Sequence, residues 1–261
     1  MPFTLFPLPA GQAAAARADE SLMLHAARHG PAACLWQSGQ GLVVPRTYQR
    51  LPRFPEACRR FERLGWPVTM RQSGGGLVPQ GPGIINVSLA YAVEGRPLSQ
   101  SDAAYGCLCT LISGTLEGLG IPSRAQAVAG SFCDGRYNLA WRDPIGAARK
   151  IAGTAQLWRR VDSRPDAAAA HGTANRADTV QVVLVHALVL ATADTDALTR
   201  LANDFEHAAG NDKRYEPGKI ASLHTILGLP ADEYGDFTDD LFHRLAHRIT
   251  AASPPTRAPE H

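Results

Sequence analysis

Apolar positions recur at three- and four-residue intervals through ADESLMLHAARHG, residues 18–30, with Asp19 and Glu20 ahead of the run and a Gly-Pro stop behind it. That spacing predicts a helix with acidic residues in its first turn. ACLWQSG and GLVVPRTY then read as a pair of short strands, and FPEACRRFERLGW as a helix starting after Pro55 and ending near Gly65. VTMRQSGGGLV predicts a strand running into a glycine loop, and GIINVSLAYAV the strand that leaves it. The next helix, roughly 101–119, has no strong polar face and is expected to be buried.

Beyond Pro122 the strand candidates are RYNLAWRD, KIAGTAQLWRR and TVQVVLVHALVLA, the last long and valine-rich as a central strand is. The low-complexity segment 163–177, SRPDAAAAHGTANRA, is expected to be an exposed, flexible loop. DTDALTRLANDFEHAAG and DEYGDFTDDLFHRLAHRITAA predict helices, separated by ASLHTILGL. Strands alternate with single helices only in places, which predicts an α+β fold: a mixed, largely antiparallel sheet flanked by helices. One domain over residues 1–252 and a disordered tail at 253–261 complete the expected organisation.

With 45% hydrophobic residues, a chain of 261 can bury a substantial core without metal or disulfide staples. The longest apolar run, residues 180–193, is broken by Gln181 and His186 and is too short to span a bilayer. The start, MPFTLFPLPAGQ, lacks the basic beginning and unbroken apolar stretch of a secretory signal, so the expected address is the cytoplasm and no membrane partner is expected. A net charge of +2, with basic residues dispersed and not interleaved with aromatics, argues against nucleic acid as a partner. Lysine occurs only at Lys150, Lys213 and Lys219. The five cysteines are odd in number and fit reduced thiols; Cys107 and Cys109, two apart on a helix, point to different faces. No metal site is expected: His243 and His247 are four apart without a glutamate between them, and the other histidines make no ligand pattern.

Two segments could carry chemistry. Arg71-Gln72-Ser73-Gly74-Gly75-Gly76 lies between strand-like runs, where three glycines weaken a sheet but let backbone approach a ligand closely. Unobstructed N–H groups beside the planar cation of Arg71 suit a carboxylate or phosphate; a plain hairpin turn is the other reading. In Arg149-Lys150-Ile151-Ala152-Gly153-Thr154-Ala155-Gln156, an ammonium beside small residues could stand over an acyl or phosphate group, or be a solvated edge charge.

Taken together, these segments resemble the biotin/lipoate protein ligase superfamily, in its lipoate–protein ligase A branch. The glycine loop followed by Asn86 is similar to that family's ligand loop. Lys150-Ile-Ala-Gly-Thr-Ala-Gln is similar to its lysine-bearing strand, Val185-His186 before Leu188-Val189-Leu190 to its H-G-T-L-L strand, and Asp134-Gly135-Arg136-Tyr137-Asn138-Leu139 to its G-R-N-D-L stretch. Their order agrees over residues 18 to about 228.

The resemblance implies the catalytic fold shared with class II aminoacyl-tRNA synthetases. It implies that Arg71, Ser73, Gly74, Gly75 and Gly76 line an acyl and phosphate site, that Lys150 contacts the activated carbonyl, and that Gly153, Thr154 and Ala155 flank it, with Asn86, Asn138 and His186 in support. Val78, Leu139 and Val185 become candidates for a tunnel holding an octanoyl or lipoyl tail, each buried methylene contributing on the order of 0.8 kcal/mol. The implied activity is attachment of a lipoyl or octanoyl group to a lysine of a carrier, either a lipoyl domain of a 2-oxoacid dehydrogenase or a glycine-cleavage H-type protein. The implied route is an acyl-adenylate made from ATP with Mg2+, and no permanent cofactor.

The chain departs from that branch at Gln80-Gly81, where His-Asp is usual, and at Asn138, where Asp is. Gln80-Gly81-Pro82-Gly83 is closer to the octanoyltransferase branch, and the residues after Leu229 are too few for the ligases' accessory domain, which a separate polypeptide would then supply. These departures bring forward Cys133, in Gly130-Ser131-Phe132-Cys133-Asp134-Gly135, as a nucleophile forming a thioester with an acyl group taken from acyl carrier protein; a structural cysteine in a turn is the other reading. A non-catalytic acyl-binding module is the third possibility.

Overall fold

The computed structural model describes residues 1–7, 15–94, 97–164 and 178–255. Its centre is a seven-stranded sheet. In spatial order it comprises β1 (Thr4–Leu5), β2 (Ala32–Trp36), β6 (Ile84–Val93), β10 (Thr179–Leu190), β9 (Ala148–Asp162), β8 (Leu139–Arg142) and β7 (Arg124–Ala125). Only the β1–β2 pair is parallel. A second sheet has β3 (Gly41–Pro45) between β4 (Val68–Arg71), which it meets in parallel, and β5 (Val78–Gln80), which it meets antiparallel. The expected α+β class is therefore what forms.

Alternation along the strands decides what each face of the large sheet meets. Val183, Val185, Ala187 and Val189 of β10 pack with Leu108 and Ile112 of α3 (Pro97–Glu117) and Leu241, Leu245 and Ile249 of α6 (Tyr234–Thr250). On the opposite face, Val182 and Leu184 meet Leu22, Met23 and Ala26 of α1 (Ala15–His29). Further along that same face, Leu188 and Leu190 join a third cluster with the small sheet, α2 (Phe54–Arg63) and α4 (Thr195–Ala209). Two apolar clusters thus share one face, and His186 falls in the gap between them.

Several elements differ from the sequence reading. ACLWQSG and GLVVPRTY do not pair with each other; β2 joins the large sheet and β3 the small one. Helix α1 is described from Ala15, so Asp19 and Glu20 lie in its second turn and not at its start. In α2, Pro55 is inside the first turn, where its missing N–H costs nothing. Helix α3 begins earlier and ends earlier than its hydrophobic run suggests. Asp194 caps α4 by accepting from Ala197 N–H at 2.9 Å, and Gly210, at φ +79°, ends it. ASLHTILGL contains the short helix α5 (Leu223–Leu227). Of the segment expected to be a loop, Ser163 N–H donates to Asp178 O at 2.9 Å and closes the β9–β10 hairpin, while 165–177 lie outside the described residues. So do residues 256–261 of the expected tail. No helix among the described residues is long and apolar enough to cross a membrane.

The third cluster turns on Phe205, which is fully buried with Phe61 edge-on at 5.1 Å and Phe54 at 6.4 Å. Phe205→Ala is expected to lower unfolding stability by about 3–5 kcal/mol, measured as a shift in the urea midpoint with unchanged slope.

Candidate active site

The strand register places a polar row in the gap between the two apolar clusters. Ser88 of β6 stands opposite His186 of β10, which stands opposite Ala155 of β9; one step along, Trp36, Asn86, Leu188 and Gly153 form the next row. The pocket above these rows, with the open solvent at its entrance, holds about 590 Å³ of atom-free space. Asp19 of α1, Trp36, Gln80, Asn86, Ser88, His186 and Leu188 form its walls, and Arg71, Cys133 and Lys150 converge at one end beside Gly153, Thr154 and Ala155.

Lys150 is completely buried, so it is not a solvated edge charge. The residues 219–221 cover the edge on which it sits: Lys150 N–H donates to Lys219 O, and Ala221 N–H donates back to Lys150 O, both at 2.9 Å. Its Nζ donates to Phe132 O at 2.7 Å and to Cys133 O at 3.1 Å, and lies 5.2 Å from the Phe132 ring centre. Gly153 leaves room for this, because a Cβ there would come within 2.9 Å of Nζ. Burial draws the Lys150 pKa down to about 8, against the opposing pull of Cys133 and Asp134.

Cys133 is the one non-glycine residue with positive φ (+51°) among the described residues. Such a conformation is uncommon and is held by neighbours. Lys150 pins the carbonyl of Cys133 from one side and Asn138 Nδ2 donates to it at 2.9 Å from the other. Asn138 is itself fully buried, and its Oδ1 accepts Thr154 N–H at 3.1 Å. The sulfur is thereby aimed at the glycine loop. Gly76 N–H donates to Sγ at 3.4 Å, and Arg71 Nη2 reaches it at 3.9 Å.

Arg71 organises that loop from inside. It donates to Gly74 O from Nε and Nη2, to Gly76 O at 2.6 Å and to Val43 O at 3.2 Å. The carbonyls of Gly74 and Gly76 therefore hold the guanidinium, Gly75 and Gly76 stand against Cys133, and none of Ser73, Gly74, Gly75 and Gly76 lines the pocket. Gly75 has φ +110°, and a Cβ there would lie 2.6 Å from Cys133 Sγ and 2.8 Å from Arg71 Nη2. Close approach, not only backbone freedom, requires glycine at this position.

Gln80, a departure from the expected pattern, and Asn86, which agrees with it, form a reciprocal amide pair at 2.9 and 3.0 Å on the pocket wall. The deepest contrast with the sequence reading is the tunnel. Val78 does line the pocket, but Leu139 and Val185 point to the opposite face of the sheet, into the cluster with α3 and α6. A residue one position away in a strand faces the other way, and the pocket face belongs to His186 and Leu188.

Three features were missed. Asp19 enters the pocket from α1; burial and the neighbouring Glu20 raise its pKa to about 7. It read as a helix-start acid because nothing local reveals what a helix face covers. Lys213, on an exposed turn, brings Nζ within 3.8 Å of where a Cβ on Gly76 would stand, so a second lysine adjoins Cys133. Glu206 is fully buried on α4 and takes both phenols on Oε1, from Tyr48 at 2.6 Å and Tyr215 at 2.5 Å, while Asn211 Nδ2 donates to Oε2 at 2.7 Å. The Tyr48 oxygen in turn accepts Leu77 N–H at 3.2 Å, anchoring the exit of the glycine loop. His186 is enclosed, and burial, with Arg71 nearby, holds its pKa down at about 4, so its imidazole is neutral at pH 7.

Two expectations follow from this geometry. Gly75→Ala strains a positive-φ position by about 1–3 kcal/mol and drives a methyl into Sγ, so iodoacetamide alkylation of Cys133 is expected to slow severalfold while the protein stays folded. For Asp19, the folded-state pKa stands above the unfolded one. The carboxyl therefore costs no stability below about pH 4, costs progressively more as pH rises toward 7, and keeps that cost above it. Asp19→Asn is expected to raise Tm relative to wild type at pH 8 but not at pH 4, as calorimetry at the two pH values checks.

Comparison with known proteins gives this geometry a context. Residues 13–242 match the family model described as the lipoyl protein ligase A/B catalytic domain. An uncharacterised protein of Cupriavidus necator is 45% identical over 241 residues, 91% of this chain and 92% of that one. An octanoyl-[GcvH]:protein N-octanoyltransferase of Kyrpidia tusciae is 30% identical over 213 residues, 80% of this chain and 67% of that one. Among solved structures, lipoate-protein ligase A bound with ATP superposes with TM-score 0.58 at 15% identity, over 95% of this chain and 86% of that one. A bi-partite lipoate protein ligase of Thermoplasma acidophilum, described with its E2 lipoyl domain, gives 0.55 at 16% identity, over 95% and 84%. At that identity the structures speak for the fold alone. With the family model spanning nearly the whole described chain, the protein belongs to the lipoyl protein ligase A/B catalytic-domain family and is an enzyme of protein lipoylation.

Proposed function

We propose that the protein transfers an octanoyl or lipoyl group between the lysines of two carrier proteins through a thioester on Cys133. The observation that carries this reading is the sulfur itself. It is held by a positive-φ turn at one end of the pocket, with Gly76 N–H and the Arg71 guanidinium beside it. A structural cysteine needs none of this apparatus. The name of the Kyrpidia tusciae relative, which cites octanoyl-GcvH as donor, supports the same choice.

In the first half-reaction the Cys133 sulfur bonds to the acyl carbon of the donor amide and gives up its proton, and the donor lysine nitrogen leaves carrying a proton. In the second, the acceptor's lysine nitrogen bonds to that carbon, the C–S bond breaks, and the sulfur takes a proton back. Charge builds on the acyl oxygen in both halves, where cations and N–H groups in a dry site stabilise it. Arg71 and the glycine-loop N–H groups are the candidates for that work. Lys150 holds the turn and keeps positive charge under it. Asn86, Ser88, His186 and Leu188 would accommodate the acyl tail, together with Val78.

ATP-dependent ligation from free lipoate or octanoate with Mg2+ is the second reading, favoured by the fold shared with an ATP-bound ligase. Against it stands the way the cations are used: Lys150 Nζ and Arg71 donate to five main-chain carbonyls, those of Phe132, Cys133, Gly74, Gly76 and Val43, so most of their hydrogen-bonding capacity is spent within the protein and little is left for a triphosphate. Parallel incubations of an apo lipoyl domain with octanoyl-GcvH, with octanoyl-acyl carrier protein, and with octanoate, ATP and Mg2+ separate the readings by mass spectrometry. The carrier-fed reactions are expected to acylate the domain, with an octanoyl adduct on Cys133, and Cys133→Ser is expected to lower the rate by at least about a hundredfold. Acylation by octanoate and ATP that survives Cys133→Ser would instead establish the ligase. Octanoate binding without acylation in any arm would mean a pocket that has lost turnover.

A further inference from the structure

The eighteen residues 46–63 contain six arginines and two glutamates, so this stretch alone is more positive than the chain's net +2 and the remainder is net acidic. Arg46, Arg50, Arg53, Arg59, Arg60 and Arg63 are all exposed. Among the described residues none of the six takes part in an ion pair, although six ion pairs form elsewhere on the surface. Two of the six guanidiniums have other contacts: Arg53 Nη2 donates to His207 O at 2.9 Å, and Arg60 stands 5.9 Å from the Phe61 ring centre. Arg53, Arg60 and Arg63 line one surface depression together with Glu56; an excess of like charge gathered in so short a stretch raises a positive potential over it, an arrangement that suits an acidic partner.

Two connections run from the patch toward Cys133. Arg53 is bonded to the end of α4 through His207 O and Ala209 O, and the turn that follows carries Lys213 and Arg214, both exposed, with Lys213 beside Gly76. On the other side, α2 leads into β4, an edge strand of the small sheet that ends at Arg71. Leu64 and Met70, 60% and 42% exposed, lie on this second route and are among the few large apolar side chains left in solvent. Exposed apolar residues set among arginines beside a strand that is an edge among the described residues have the composition of a protein-binding surface.

We infer that this face, formed by residues 46–63, β4 and the Lys213–Arg214 turn, is where the lipoyl carrier domain docks through an acidic surface. The inference rests on the transfer reading for the identity of the partner. A two-step transfer brings donor and acceptor to the same sulfur in turn, so a single docking face serves both. Long-range attraction speeds encounter and fixes orientation, while the pocket selects the acyl group.

The test uses the full chain with Arg59, Arg60 and Arg63 together changed to Gln, and separately to Glu. Binding of a fluorescently labelled apo lipoyl domain, followed by anisotropy, needs no turnover. Affinity is expected to fall by about tenfold in the Gln variant and further in the Glu variant, with KM for the carrier rising in step and kcat within about twofold. Wild-type binding is expected to weaken between 50 and 300 mM NaCl, on the order of severalfold, and the Gln variant's to weaken less. An unchanged rate of Cys133 alkylation by iodoacetamide shows that the site is intact in each variant. Affinity that is insensitive to both substitutions and to salt overturns the docking face. A wild-type protein that binds the domain in this charge-dependent way yet transfers no acyl group from any donor counts against the transfer reading while the docking face stands.

Discussion

An ammonium sealed away from water must find oxygen acceptors inside the protein, because leaving a buried charge unpaired costs several kcal/mol. Lys150 finds them in the carbonyls of Phe132 and Cys133. Much of the site follows from that need. To offer two successive carbonyls to one Nζ, the chain turns sharply at Cys133 and enters positive φ there, and Asn138 braces the turn from behind while tying it to β9 through Thr154 N–H. The sulfur is left facing the glycine loop, whose own shape Arg71 sets by filling its interior with donors.

Around this centre the structure separates rigid support from open space. The face of the large sheet that carries the pocket is packed on either side by apolar clusters, with α1 over one end and the small sheet, α2 and α4 over the other. Between them the strands present Asn86, Ser88 and His186. A neutral imidazole, and a carboxyl about half protonated at pH 7, lessen the charge along the wall away from Arg71 and Lys150, which favours an apolar chain there. The Glu206 network makes the connection between scaffold and loop, since one carboxyl joins α4, the residues before α2 and the 211–215 turn, and through Tyr48 reaches the glycine loop.

On the proposed transfer, the same arrangement would separate acyl recognition from carrier recognition. The tail would be held in the pocket on the sheet, where exclusion from water supplies affinity. The carrier would meet the exposed stretch 46–63, in which arginines outnumber acids and charge would govern encounter and orientation. Cys133 would then act between the two, as a nucleophile that serves large carriers must.

Local pattern was enough to predict the fold class and most strands and helices, because period and residue type are properties of short segments; that the glycine loop and the Lys150 strand serve one site was implied by the family resemblance alone. The resemblance carried by Arg71–Gly76, Lys150-Ile-Ala-Gly-Thr-Ala-Gln and Val185-His186 named the family that residues 13–242 match. What remained illegible depends on which atoms come together from distant parts of the chain. Leu139 and Val185 looked as suitable for a tunnel as Val78, yet a one-residue step in a strand reverses its face, and only the assembled sheet shows which face holds the pocket. Asp19, Glu206 and Lys213 carried no local signal at all. Their parts arise from the burial of α1 against the sheet, from two phenols and an amide on other segments, and from a turn folded beside Gly76. Sequence pattern determined the elements and the chemical vocabulary; tertiary packing decided which side chains lost water, and therefore which charges, carbonyls and sulfur had to be satisfied by one another.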